Sequence, residues 1–94
     1  MPDKLTKRIH VIFKGRVQGV GFRYTAVSAA EVLNCTGLVR NLDNGDVEVI
    51  AEQKQDTLKS FIERLEDEFS GYIKNKEVDW EPATGEFKDF SVSF

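Results

Sequence analysis

The stretch Gly15-Arg16-Val17-Gln18-Gly19-Val20-Gly21-Phe22-Arg23 is where this chain changes its period. Before it, Ile9, Val11 and Phe13 alternate with Arg8, His10, Ile12 and Lys14, the two-residue repeat of a half-buried strand. After it, Phe22, Ala26, Ala29, Ala30 and Leu33 fall on one stripe of a helix that closes near Asn34. Three glycines, at 15, 19 and 21, carry the turn between the two. A strand that ends in such a loop and restarts as a helix aims several N–H groups at one point, because first-turn amides have no acceptor within the helix. Arg23 adds a permanent, fork-shaped cation beside that point. The pattern predicts an anion cradle made by the backbone of Gln18, Gly19, Val20, Gly21, Phe22 and Arg23, with phosphate as its natural occupant.

Neither common nucleotide loop fits. The glycine spacing is not G-x-G-x-x-G, and no Lys-Ser or Lys-Thr pair follows to hold a triphosphate and magnesium.

Working outward, Gly37 opens a second strand over Leu38 to Leu42. Asn44-Gly45 is a strong hairpin signal, and Val47, Val49 and Ala51 then share one face of a third strand. Asp56 is placed to cap a second helix with Leu58, Phe61, Ile62, Leu65 and Phe69 at core spacing, broken by Ser70-Gly71. Val78 and Trp80 mark a fourth strand, with Trp80, like Phe61, expected in the core. Pro82 to Gly85 reads as a turn, and Phe90, Val92 and Phe94 as a short closing strand. The order is β-α-β-β-α-β with a short extra terminal strand. Its simplest closure is an α+β, ferredoxin-like sandwich with two helices on one face of a mainly antiparallel sheet. A single domain is expected over residues 1–94, with residues 1–6 a flexible N-terminus.

That topology makes strands one and two parallel, with strand three between them. Their C-terminal ends open on one edge, roughly 10 Å apart at two strand spacings. Arg40 and Asn41, at the end of strand two, are therefore the candidates to face a ligand held in the 15–23 loop.

Composition narrows the classes. The chain has 94 residues, 40% of them hydrophobic and 31% charged, as expected of one folded domain. No apolar run reaches membrane-spanning length, and residues 1–8 lack a secretory apolar region, so a cytoplasmic location and no membrane partner are expected. Cys35 is the only cysteine, which excludes an internal disulfide and any multi-cysteine metal site. Residues 1–40 carry seven Lys and Arg against two acids, whereas residues 41–94 carry six against fourteen. The basic half holds the glycine loop, so its field favours a small anion there. A net charge of −3 and a third strand without aromatics argue against nucleic acid.

With the glycine loop and the second strand both in view, the chain resembles the acylphosphatase family. The matching pieces are G-R-V-Q-G-V-G-F-R from Gly15, G-L-V-R-N-L-D-N-G-D-V-E-V from Gly37 to Val49, and W-E-P-A-T-G-E-F-K-D-F from Trp80 to Phe90. The resemblance implies a ferredoxin-like sandwich that hydrolyses the carboxyl–phosphate anhydride of acyl phosphates without metal or organic cofactor. It implies Arg23 and Asn41 as the catalytic residues. Leu38 stands where an aromatic is common in the family and Gln53 where glycine is common, differences that bear on rim shape and substrate preference.

The chemistry suits those residues. Carboxylate is already a good leaving group, so the enzyme need only hold the phosphoryl oxygens and place one water in line. The cradle and Arg23 suit the first task. Asn41 suits the second, since an amide both accepts and donates. Inorganic phosphate or sulfate is expected to compete with the substrate. Other residues read as structural: His10 as a solvated or edge histidine, Cys35 as core, Asp43 and Asp46 as turn residues. A monomer is expected. The alternative function is a non-catalytic, anion-sensing domain built on the same cradle.

Overall fold

The structure, a computed structural model, describes residues 4–94. Strand β1 (Thr6–Gly15) is the spine of the fold: Ile9, Val11 and Phe13 are fully buried, while Arg8, His10, Ile12 and Lys14 turn to the opposite face. It is followed by helix α1 (Phe22–Leu33), strands β2 (Thr36–Asn41) and β3 (Val47–Lys54), helix α2 (Gln55–Glu68), and strands β4 (Ile73–Pro82) and β5 (Phe90–Val92).

The five strands lie in the order β4-β1-β3-β2-β5. β3 is antiparallel to both β1 and β2, with His10 opposite Ile50 and Arg40 opposite Glu48, so β1 and β2 run parallel on either side of it. β4 pairs antiparallel with β1, and β5 pairs parallel with β2. Both helices cover one face, where the sheet's inward residues meet Phe22, Ala26, Leu58, Phe61 and Leu65. Aromatic packing links the layers: the Phe22 ring lies 5.0 Å from Phe13 on the sheet and 4.7 Å from Phe69 beyond α2. This is the ferredoxin-like α+β arrangement expected from the element order.

Gly15 ends β1 for a steric reason. Its φ is +129°, and a Cβ there would stand 2.2 Å from the carbonyl oxygen of Tyr72. That oxygen instead accepts from Arg16 N–H at 2.9 Å, which turns the chain out of the sheet and into the loop.

Several local expectations need correction. β2 runs from Thr36 to Asn41, beginning two residues before Leu38 and ending one before Leu42, because Thr36 already pairs with Glu52. Asp56 does not cap α2: Lys54 occupies the cap position with no side-chain hydrogen bond, and Asp56 sits inside the first turn, where its charge favours the positive end of the helix. Trp80 is 44% exposed, because β4 is an edge strand flanked only by β1. Phe61 is fully buried. Of the expected flexible segment, residues 1–3 lie outside the described residues, while Thr6 is already paired with Lys54.

The face without helices is not simply solvated. Glu48 and Glu52 on β3 are buried there. His10 is on an interior strand rather than an edge, and its Nε2 lies 2.7 Å from Glu48 Oε2, while Arg40 Nε donates to the other oxygen of Glu48. Residues 83–89 join β4 on one edge to β5 on the other. Thr84 N–H and Gly85 N–H donate to Glu52 at 3.0 and 2.9 Å, and the Thr84 hydroxyl donates to it at 3.0 Å. Arg8 adds an ion pair to Glu52 and lies 5.3 Å from the Phe87 ring centroid. Burial alone would raise both carboxyls, yet these donors hold Glu48 and Glu52 below the ordinary carboxylate range.

Candidate active site

The loop between β1 and α1 turns twice through left-handed backbone. Gly19 and Gly21 have φ of 78° and 86°, and no atom lies within 4 Å of where a Cβ would stand on either. The glycines are thus required by backbone angle rather than by crowding. Gly21 is the N-cap of α1, and its carbonyl accepts from Thr25 N–H at 3.0 Å. Among the described residues, no hydrogen bond consumes the N–H groups of Gly19, Val20 or Gly21. Free amides at a helix N-terminus form a positive, anion-ready surface.

The loop is also braced from behind. Val17 is fully buried. The side-chain amide of Gln18 donates to the main-chain oxygens of Leu42 at 2.7 Å and Asp46 at 2.9 Å. The hairpin it grips is self-locked: Leu42 N–H donates to Asp46 O at 2.8 Å, Gly45 N–H to Leu42 O at 3.1 Å, and Asp46 N–H to Asn44 Oδ1 at 3.0 Å. Asn41, the last residue of β2, is held directly beside this anchor.

A cavity of about 400 Å³ opens at this junction. The loop contributes Gly19 and Gly21 above Val17, α1 contributes Phe22, Arg23, Tyr24 and Val27, and β2 contributes Asn41. Val92 and Phe94, at the end of the chain, close the side. Arg23 and Asn41 therefore line one cavity, as the strand order predicts. Arg40 does not join them, because strand alternation sends it to the opposite face and Glu48. Gln18 and Val20 support the loop without lining the cavity.

The electrostatics favour an anion. Among the described residues no carboxylate pairs with Arg23, whose guanidinium lies 5.6 Å from the Phe94 ring centroid. Asn41 Oδ1 is buried, and no hydrogen-bond partner meets it among the described residues. An unpaired buried acceptor costs about 1–3 kcal/mol. Cys35 is far from this chemistry in character: buried against the core, its thiol is pushed up to about 11 by desolvation.

The side chain of Gln18 and the wall formed by Tyr24, Val27, Val92 and Phe94 were not legible as site features from the sequence. Only Val27 left a signal, lying one helical turn beyond Arg23 and so on the same face.

Comparison with known proteins agrees with this geometry. A family model described as Acylphosphatase matches residues 9–92. The chain is 57% identical over 67 residues to an acylphosphatase of Treponema denticola, covering 70% of this chain and 71% of that protein. It is 35% identical over 89 residues to one from Caldanaerobacter subterraneus, covering 94% and 99%. The crystal structure of acylphosphatase from Bacillus subtilis superposes with a TM-score of 0.87 at 33% identity, over 94% of this chain and 99% of that one. Fold, loop and whole-length similarity converge: the chain belongs to the acylphosphatase family and is a hydrolase of acyl phosphates.

Proposed function

We propose that the 15–23 loop and Arg23 hold the phosphoryl group of the acyl phosphate and that Asn41 positions the attacking water. The observation that carries this reading is that Asn41 and Arg23 line one cavity together with the glycines of the loop. The amides of residues 18–23 and the guanidinium donate to the non-bridging oxygens, where charge persists through the transition state. The Asn41 side-chain amide hydrogen-bonds a water and turns a lone pair of that water toward phosphorus. The water oxygen–phosphorus bond forms as the phosphorus–acyl oxygen bond breaks, and the carboxylate leaves with the bonding pair. The water's proton passes to a phosphate oxygen or to bulk water. No covalent enzyme intermediate is needed, because the leaving group is already weakly basic.

Because the cradle and Arg23 supply the positive charge, turnover requires no metal. The protein works as a monomer in the cytoplasm, a setting consistent with its single, buried, reduced cysteine. The anion-sensing alternative is not favoured by a family match over nearly the whole chain.

A colorimetric assay with benzoyl phosphate, corrected for spontaneous hydrolysis, tests the reading. Turnover should persist in excess chelator, and inorganic phosphate and sulfate should both inhibit competitively. Activity abolished by chelator and restored by one divalent metal would overturn the metal-free mechanism, and noncompetitive anion inhibition would overturn the phosphate-centred site.

A further inference from the structure

The cavity is larger and greasier than phosphate needs. A phosphate has five heavy atoms, and even at the roughly 30 Å³ that each water takes in the liquid they fill only about 150 Å³. More than half of the 400 Å³ remains. The groups suited to the phosphoryl end are the loop amides, Arg23 and Asn41. Beyond the buried Val17 and Phe22, the remaining wall is Tyr24, Val27, Val92 and Phe94, whose only polar side-chain atom is the Tyr24 hydroxyl. Val27 sits one turn after Arg23 on α1, so the apolar wall starts where the guanidinium ends. Tyr24 is 79% exposed and Phe94 fully exposed, so two large rings stand at the mouth in water. Aromatic surface beside a polar centre, uncovered by the protein itself, is the composition of a ligand wall.

We propose that this wall is the acyl-group site, so that the enzyme favours acyl phosphates with an apolar chain of several carbons over acetyl phosphate. The inference rests on the phosphate placement given above, which fixes the reacting end and leaves the wall for the acyl end. Specificity then arises from desolvating methylenes against Val27, Val92 and the two rings. A methylene fully held in an apolar pocket is worth about tenfold or more in discrimination. On a wall as open as this one, with Tyr24 and Phe94 exposed, the four methylenes added between acetyl and hexanoyl should together be worth at least that much.

Acetyl, butanoyl and hexanoyl phosphates test this, because straight-chain carboxylates are leaving groups of nearly equal basicity and the reaction centre is the same in all three. kcat/KM should rise about tenfold or more from acetyl to hexanoyl phosphate. Val27→Thr keeps the side-chain shape but adds a hydroxyl, and Tyr24→Ser removes an exposed ring without threatening the core. Both should compress the hexanoyl-to-acetyl ratio to within about threefold. A flat series in the unmodified protein, or a ratio unmoved by both variants, overturns the acyl site. Inorganic phosphate serves as the separate readout: competition against all three substrates with a flat series removes the acyl site alone, while loss of competition removes the phosphate placement as well.

Discussion

Gln18 donates its side-chain amide to the main-chain oxygen of Leu42 at 2.7 Å, across 24 residues of sequence. A second bond from the same nitrogen reaches Asp46 O at 2.9 Å. One side chain thus ties the glycine loop to the hairpin that begins at Asn41, and sets the two halves of the site relative to each other.

Gln18→Glu should be more damaging than Gln18→Ala. A carboxylate cannot donate and would face two carbonyl oxygens, whereas alanine only leaves them to water. Gln18→Ala should cost about 1 kcal/mol, because both acceptors are only half-buried and each keeps a backbone donor, Gly45 N–H on Leu42 O and Leu42 N–H on Asp46 O. In both variants kcat should fall further than phosphate affinity, because Asn41 shifts relative to the cradle. Urea denaturation and phosphate inhibition constants measure the two effects. Wild-type kcat in a folded Gln18→Glu protein would contradict the bracing role.

Arg23 and Asn41 should fail differently. Arg23 is proposed to grip the phosphoryl oxygens before and during reaction, so Arg23→Ala should weaken phosphate inhibition and turnover together. Arg23→Lys should rescue little, since an ammonium lacks the planar two-point contact. Asn41→Ala should leave phosphate affinity nearly intact while lowering kcat by about a hundredfold or more. Trp80 fluorescence reports whether each variant remains folded. A folded Asn41→Ala enzyme with near wild-type kcat would reassign the water-positioning residue.

Acid should loosen the crossing segment 83–89. Glu52 is held below its ordinary value despite burial, by the amides of Thr84 and Gly85, the Thr84 hydroxyl and Arg8. A carboxyl depressed in the folded state contributes stability that is fully present above the unfolded pKa of about 4.3 and is lost as pH falls through the folded value. Glu48, bonded to His10 and Arg40, contributes in the same sense. The urea midpoint should therefore decline below about pH 4.3. Glu52→Gln should lower stability at pH 7 by about 1–3 kcal/mol and make the acid decline shallower. An unchanged acid profile in Glu52→Gln would show that Glu52 is not the group titrating.

Cys35 should be inert while the protein is folded. Its thiol is pushed up to about 11 by burial, so the thiolate fraction at pH 8 is very small and shielded. Reaction with an aromatic disulfide reagent should appear only as urea unfolds the chain, and should follow the fluorescence transition. Rapid labelling in the absence of urea would place Cys35 on the surface.

Local physics made much of this protein legible in its sequence. The alternation at Ile9, Val11 and Phe13, the helical stripe from Phe22 and the hairpin at Asn44-Gly45 depend on neighbours a few residues away, and all three appear as read. The strand order followed from connection rules, and it brought Asn41 to the edge where the glycine loop ends. What the tertiary structure alone decided depends on partners distant in sequence. Trp80 reads as core until β4 proves to be an edge, and the partners that bury Glu48 and Glu52, namely Arg40, His10 and the crossing segment, come from other parts of the chain. Gln18 spends its side chain on a hairpin 24 residues away, and Val92 reaches the cavity only because β5 lies parallel beside β2. A chain's period states which face of an element is apolar, but which elements flank it, and so which polar group finds a partner, is settled only when the distant segments meet.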